Sequence, residues 1–160
     1  MNPTQIKQAL NIRTLRADKA ERELNAARAK EAQALNVLGT AQQQLQIFDA
    51  SYDERIAAFF NRTAGGVTPE SLYSSRSFHS DLAGERAKLE DVIEQAQQVV
   101  ALASQNAANA RSVWAAASRA ADNLKDIHTK ALKDLARRQE RAAEQDADER
   151  SVARAFRDAG

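Results

Sequence analysis

The sequence predicts an all-α fold, an elongated antiparallel two-helix coiled-coil hairpin, and three observations predict it. Apolar and small residues recur at alternating steps of four and three over two long stretches. A Gly pair with turn-forming neighbours separates those stretches. Elsewhere the residues that break helices or fill globular cores are scarce: the 160 residues include 2 Pro, 5 Gly and only 5% aromatic side chains. Such a composition suits long helices better than a sheet-containing globule.

The first helix starts at Asn2-Pro3, where an Asn side chain can accept from free amides and Pro at the first helical position loses nothing by lacking an N–H. From there the seam runs through Ile6, Leu10, Ala17, Ala20, Leu24 and Ala27, and continues through Ala34, Leu38, Ala41, Leu45, Phe48, Tyr52 and Phe59. Arg13, Glu31 and Arg55 are its charged exceptions. A mean step of 3.5 residues is the coiled-coil period.

The segment 61–67 joins Gly65-Gly66 to residues that favour caps and turns, so the first helix stops near residue 60 and the reversal occupies about 61–68. Thr68-Pro69-Glu70 then repeats the start signal. The Ser-rich run 74–80 is a poor helix former, which leaves two starts open for the second helix, residue 69 or residue 80; its end falls near 157. The second seam runs from Leu82 and Leu89 through Ile93, Ala96, Val100 and Trp114 to His128, Ala131 and Leu135. It then decays, recovering only at Val152 and Phe156.

Two apolar stripes joined by a short reversal pack against each other because neither can stay in water. The result is one coiled-coil hairpin over residues 1–160, with helices about 80 Å long or more at 1.5 Å per residue. Pairing residues whose numbers add to about 141 sets large side chains against small ones: Phe59 by Leu82, Ala27 by Trp114, Leu10 by Ala131 and Ile6 by Leu135. A register shifted by one heptad is the alternative. The Ala-rich stretch from Ala96 to Ala121 forgoes about 2 kcal/mol per position relative to Leu, at about 0.8 kcal/mol per buried methylene, so the packing is only moderately stable. Residues beyond about 136 overhang the start of the first helix without an internal partner. A frayed tail and a helix that docks on another protein are the two readings of that overhang, and the second is preferred because Val152 and Phe156 put apolar points among its charges.

Formal net charge is +1, from 23 basic and 22 acidic residues, so no basic field gathers nucleic acid. Cys is absent, which excludes disulfide staples and thiolate metal sites. The opening residues lack an apolar run of signal-peptide length and nothing approaches a membrane span, so the chain reads as soluble and cytosolic, without direct membrane insertion. No catalytic, metal or cofactor site is expected. Gly65-Gly66 lacks the pattern and the following Lys of a phosphate loop. His128 lies on the seam without the other ligands a metal needs, and opposite Arg13 it reads as a polar layer that fixes register. His79 adjoins Ser80 and Asp81, but sequence neighbours do not make a triad. Trp114 reads as a seam residue, and pairs such as Asp18/Arg22 and Asp146/Arg150 as a solvated face.

Five segments carry a resemblance: 15–24 (LRADKAEREL), Tyr52-Asp53-Glu54-Arg55 before the turn, Gly66-Val67-Thr68 after it, 137–141 (RRQER), and Asp148-Glu149-Arg150. In their order, and in the turn position and length of the chain, they resemble the FliJ/YscO family, the small coiled-coil stalk proteins of flagellar and virulence type III export machines. The resemblance covers nearly the whole chain. It implies a non-catalytic central-stalk or adaptor protein that needs no cofactor. The end bearing both termini would engage the pore of the hexameric export ATPase, with further contacts to the export gate membrane protein and to export chaperones. It implies a cytoplasmic location, peripheral at the inner-membrane export apparatus. On this reading Arg13, Arg16, Arg137, Arg138, Arg141 and Glu144 meet the ATPase ring, with Val152 and Phe156 as apolar contacts, while the tip from Phe59 to Phe78 faces another partner. Two readings of another class stand beside it. One is a coiled-coil chaperone or adaptor with an open apolar groove. The other is a self-associating scaffold, for which Val92, Val99, Val113 and Ile127 beside the seam supply a second stripe.

Overall fold

Both helices begin where the cap chemistry places them. The computed structural model describes residues 1–62, 65–66 and 68–160, and in it α1 spans Pro3–Arg62 and α2 spans Pro69–Asp158. At the first start the Gln5 N–H donates to Asn2 Oδ1 at 2.9 Å while the Asn2 N–H donates to Gln5 Oε1 at 3.1 Å. At the second, the Ser71 N–H donates to Thr68 Oγ1 at 3.1 Å and the Thr68 N–H to Ser71 Oγ at 2.8 Å. Each is a reciprocal capping box, and each satisfies two amides that the helix itself leaves free.

Of the reversal, Gly66 has a φ of 122°, a backbone conformation open to glycine and strained for other residues. A Cβ built there meets nothing within 4 Å, so the strain is entirely in the backbone. The expected turn over 61–67 is narrower than the pattern suggested, because Asn61 and Arg62 complete α1; Thr63, Ala64 and Val67 lie outside the described residues. Among the described residues there is no strand, and the chain is an all-α two-helix hairpin.

The helix does not restart at Ser80. α2 is continuous through the Ser-rich run because Ser71, Ser75 and Phe78, all half-buried, extend the seam spacing back from Leu82. Packing on a partner outweighs the weak intrinsic preference of Ser. Within the seam, every apolar residue expected on α1 is buried or half-buried, and on α2 every one through Ala131. The buried core is Ile6, Ala20, Leu24, Ala34, Ala41 and Phe48 on α1 with Leu82, Ala96 and Ala107 on α2. Of the charged exceptions, Arg13 and Arg55 are exposed and Glu31 half-buried, and Ile56 takes the inward place beside Arg55.

Contacts divide the chain into two units, each using both helices. One is Leu24–Ala110; the other combines Met1–Glu23 with Arg111–Gly160. In the first, three cross-helix pairs define direction and register. The Phe59 and Phe78 rings stack with centroids 4.4 Å apart and planes 7° apart. Arg55 Nη1 lies 2.9 Å from Glu85 Oε2, and Arg86 Nε lies 3.0 Å from Asp49 Oδ1. As one number falls the other rises, so the helices are antiparallel. These pairs add to 137, 140 and 135, centred about one helical turn away from the expected 141. Phe59 therefore stacks on Phe78 and not on Leu82. Matching large to small residues could not separate the two registers, because Ala recurs so often that a shift of one turn still sets apolar on apolar.

Replacing Leu24, which is 2% exposed, by Ala removes about 2 to 4 kcal/mol from unfolding measured in urea, whereas Leu135→Ala at a 40% exposed position changes it by less than about 0.5 kcal/mol. Gly66→Ala costs about 1 kcal/mol in the same measurement, from backbone strain alone.

Candidate partner-binding surfaces

Three surfaces remain after the seam is filled: the C-terminal overhang of α2, the tip near the reversal, and the flanks. The overhang follows from unequal lengths, 60 residues in α1 against 90 in α2. On α1, Ile6 is 4% exposed and Pro3 half-buried, so the seam is closed to its N-terminal end. On α2, Ala131 is the last half-buried residue, and everything from Leu132 onward is exposed while remaining helical to Asp158. That stretch is about 40 Å of single helix at 1.5 Å per residue. Its Ala, Arg, Glu and Gln content suits a helix, and its continuity with a packed helix spares it the nucleation cost. The segment is thus a regular helix rather than a frayed tail, and among the described residues only its side chains lack a packing partner.

Arg137, Arg138, Arg141, Glu144, Val152 and Phe156 all lie on this overhang and all are exposed. Arg137, Arg141 and Glu144 fall at i, i+4 and i+7, on one face. Val152 and Phe156, 54% and 78% exposed, are one turn apart and form an apolar point near the end. Among the described residues, none of these charged side chains makes an ion pair; the pairs are Lys19–Glu23, Arg55–Glu85, Asp49–Arg86 and Arg86–Glu90. Arg13 and Arg16 are exposed as well, but they stand on α1 within its packed stretch and not beside the overhang. The structure thus groups six of the eight expected contact residues and sets these two apart.

The polar contacts that fix register lie in the unit Leu24–Ala110 and not at His128. Arg86 occupies a seam position and forks onto Asp49, Nε to Oδ1 at 3.0 Å and Nη2 to Oδ2 at 3.2 Å, with Nη1 turned to Glu90. The hydrogen bonds Arg86 donates to Asp49, then the charges of Asp49 and Glu90, raise the Arg86 pKa above its ordinary value against a small opposing effect of burial. These side chains are 43% and 47% exposed, so the pair specifies alignment more than it stabilises the fold. His128 is half-buried on the seam, and neither it nor Arg13 makes a hydrogen bond or ion pair among the described residues.

At the tip, Phe60 lies edge-on to Phe59 at 5.9 Å, and His79 edge-on to Phe78 at 6.2 Å. One turn before Phe59, the Arg55 guanidinium lies 5.2 Å from the Phe48 ring. Leu72 and Tyr73, exposed 57% and 79%, extend the apolar surface outward. The tip was legible as a surface; that Leu72 and Tyr73 carry it follows from their falling outside the Ser71–Ser75–Phe78 seam. Trp114 is half-buried on the seam, as its spacing predicts. Among the described residues no group of three His, Cys, Asp or Glu could hold a metal ion, and no helix is long and apolar enough to cross a membrane.

Residues 1–153 match the family model described as YscO-like protein. No curated protein and no solved structure matches the chain.

Removing residues 136–160 deletes no buried side chain. The truncated chain is expected to keep its helical circular dichroism per residue and to melt within about 4 °C of the full chain. A larger fall shows that the overhang packs on the hairpin.

Proposed function

The chain belongs to the YscO-like family, an export-associated and non-enzymatic family related to type III secretion and flagellar export, and from that premise we propose that it is a stalk or adaptor of the export apparatus. It docks its terminal end into the hexameric export ATPase and presents the remainder to the export gate and to substrate chaperones. One observation supports the reading: a helix about 40 Å long extends past Ala131 with the exposed pair Val152 and Phe156, and among the described residues its charges form no ion pair and its side chains have no packing partner.

The physical argument concerns what such a segment gains on binding. Its backbone is already helical, so docking requires little ordering of main chain and mainly fixes side chains. Its guanidiniums are solvated and uncommitted, so carboxylates on a ring can engage them without breaking internal pairs. The apolar pair supplies a local anchor near the end, of the kind that dominates interface energetics. Among the described residues no helix is long and apolar enough to cross a membrane, and the proposed contact with the export gate is one made from the membrane's aqueous face. Arg13 and Arg16 serve this docking as a flanking contact on α1, at a different level from the overhang.

Pull-down and calorimetry with the export ATPase test the proposal. The chain lacking 136–160 is expected to lose binding while staying folded, and Arg137→Glu, Arg138→Glu and Arg141→Glu together weaken binding by about 10- to 100-fold. Raising salt from about 50 to 300 mM weakens the native complex and has less effect on the triple variant, because exposed charge contacts are screened. Leu72→Ser with Tyr73→Ser at the tip leaves ATPase binding within about twofold. Loss through the tip variant with retention by the truncated chain reverses the proposed polarity.

A further inference from the structure

The two flanks of the seam differ in chemistry, and the difference is not used by the docking of the terminal end. In a two-stranded packing, the residue immediately before each seam position falls on one flank and the residue immediately after it on the other. Around buried Phe48, Ile47 lies on the first flank and Asp49 on the second. The second flank of the unit Leu24–Ala110 holds Asp49, Glu90 and Glu94, the first two bound to Arg86, with Leu35 as a large exposed apolar side chain. The first carries Val37, Ile47, Val92, Val99 and Leu102, exposed 46% to 62%. Both helices contribute to this one surface, since Gln44, Ile47, Ser51 and Val92 line a common groove over Phe48 and Leu89, which Arg55, Glu85 and Lys88 bound at its charged end.

Between Gln33 and Ser51 on α1 and between Val92 and Asn109 on α2, every position of this flank is Val, Ile, Leu, Gln, Asn, Ser or Thr. Not one is charged, in a chain where 28% of residues are. Charges return only at its limits, with Lys30 at one end and Glu85 and Lys88 at the other. In the other unit, Val113 and Ile127, exposed 57% and 50%, hold the same heptad position as Val92 and Val99.

We infer that the flank carrying Val37, Ile47, Val92, Val99 and Leu102 is a self-association surface that takes a second copy of this chain side by side, forming a four-helix bundle. Symmetry selects this occupant. In a two-fold interface each residue near the axis meets its own image, so a charge there is repelled by itself, whereas amides and hydroxyls both donate and accept and can pair with their copies. A stretch with amides and aliphatics but no charge satisfies that condition. Its extent also sets the affinity. Residues 33–51 span about 27 Å, and two such flanks bury less than the roughly 1,200 Å² of a stable complex. The association is therefore weak and concentration-dependent, and it does not compete with a folded monomer at low concentration.

Sedimentation equilibrium of the full chain from about 10 µM to 1 mM tests this, at low and high salt. The expected result is a mass that rises towards twice the monomer, with no loss of association in high salt. Val99→Glu places two like charges near the axis and is expected to weaken association at least tenfold with unchanged melting temperature; Gln97→Glu on the opposite flank leaves it unaltered. Because the chain has no Cys, Val99→Cys gives a single thiol, which a short bismaleimide should join to its copy. A monomeric mass throughout overturns the inference and leaves the flank to a helix of another protein. Association that survives Val99→Glu but fails with Gln97→Glu also overturns it, by placing the interface on the charged flank.

Discussion

The burial of mainly small residues along a 3.5-residue seam is the constraint on which the rest of the molecule depends. Five of the nine buried side chains are Ala, and α1 carries Ile6, Ala20, Ala34, Ala41 and Phe48 at multiples of seven. Each Ala contributes little apolar area, so no single layer dominates and stability accumulates only over many turns. Length therefore substitutes for bulk. The larger residues Leu24, Phe48 and Leu82 act as local reinforcements, and the aromatic stack of Phe59 on Phe78 closes the seam before the reversal.

A seam built this way is strong on direction and weak on alignment. Ala against Ala looks alike in several registers, and apolar contact does not choose among them. Polar and aromatic side chains make that choice in the unit Leu24–Ala110, through Asp49 with Arg86, Arg55 with Glu85, and Phe59 with Phe78. The exposed ion pairs add little stability, but each fails when the helices slip by a turn. Arg55 is free for this work because Ile56 replaces it on the inward face.

The same reasoning explains what could be read from the residues alone. The start of the first helix was legible because Asn2 and Pro3 carry local chemistry, Thr68 and Pro69 marked one of two starts left open for the second, and the seam was legible because periodicity survives in a single chain. Register was not, since it depends on geometry between helices that Ala leaves undetermined, and the expected polar layer at Arg13 and His128 gave way to one at Asp49 and Arg86. The Ser run after Ser74 misled because local preference was weighed without the partner helix that overrides it. The overhang itself was legible from the decay of the seam after Leu135, since no residue beyond Ala131 is buried or half-buried. The uncharged flank was only half visible: Val92 and Val99 stood out by their spacing of seven, while Val37 and Ile47 required knowing which side of α1 faces the same way.

The overhang has a consequence in its order of charge. From Lys133 to Asp158 it holds seven basic and seven acidic residues, grouped as a mainly basic run to Arg141, an acidic run to Glu149 and a basic run from Arg150 to Arg157. Seen from beyond a Debye length of about 8 Å, such a polyampholyte is neutral and exerts no long-range pull. At contact it behaves as a vernier. A surface with the complementary alternation gains from every block only at one axial setting, and sliding the helix by a few turns sets like against like. In the docking proposed above, recognition by this segment would be expressed in where the helix stops and not in how fast it arrives.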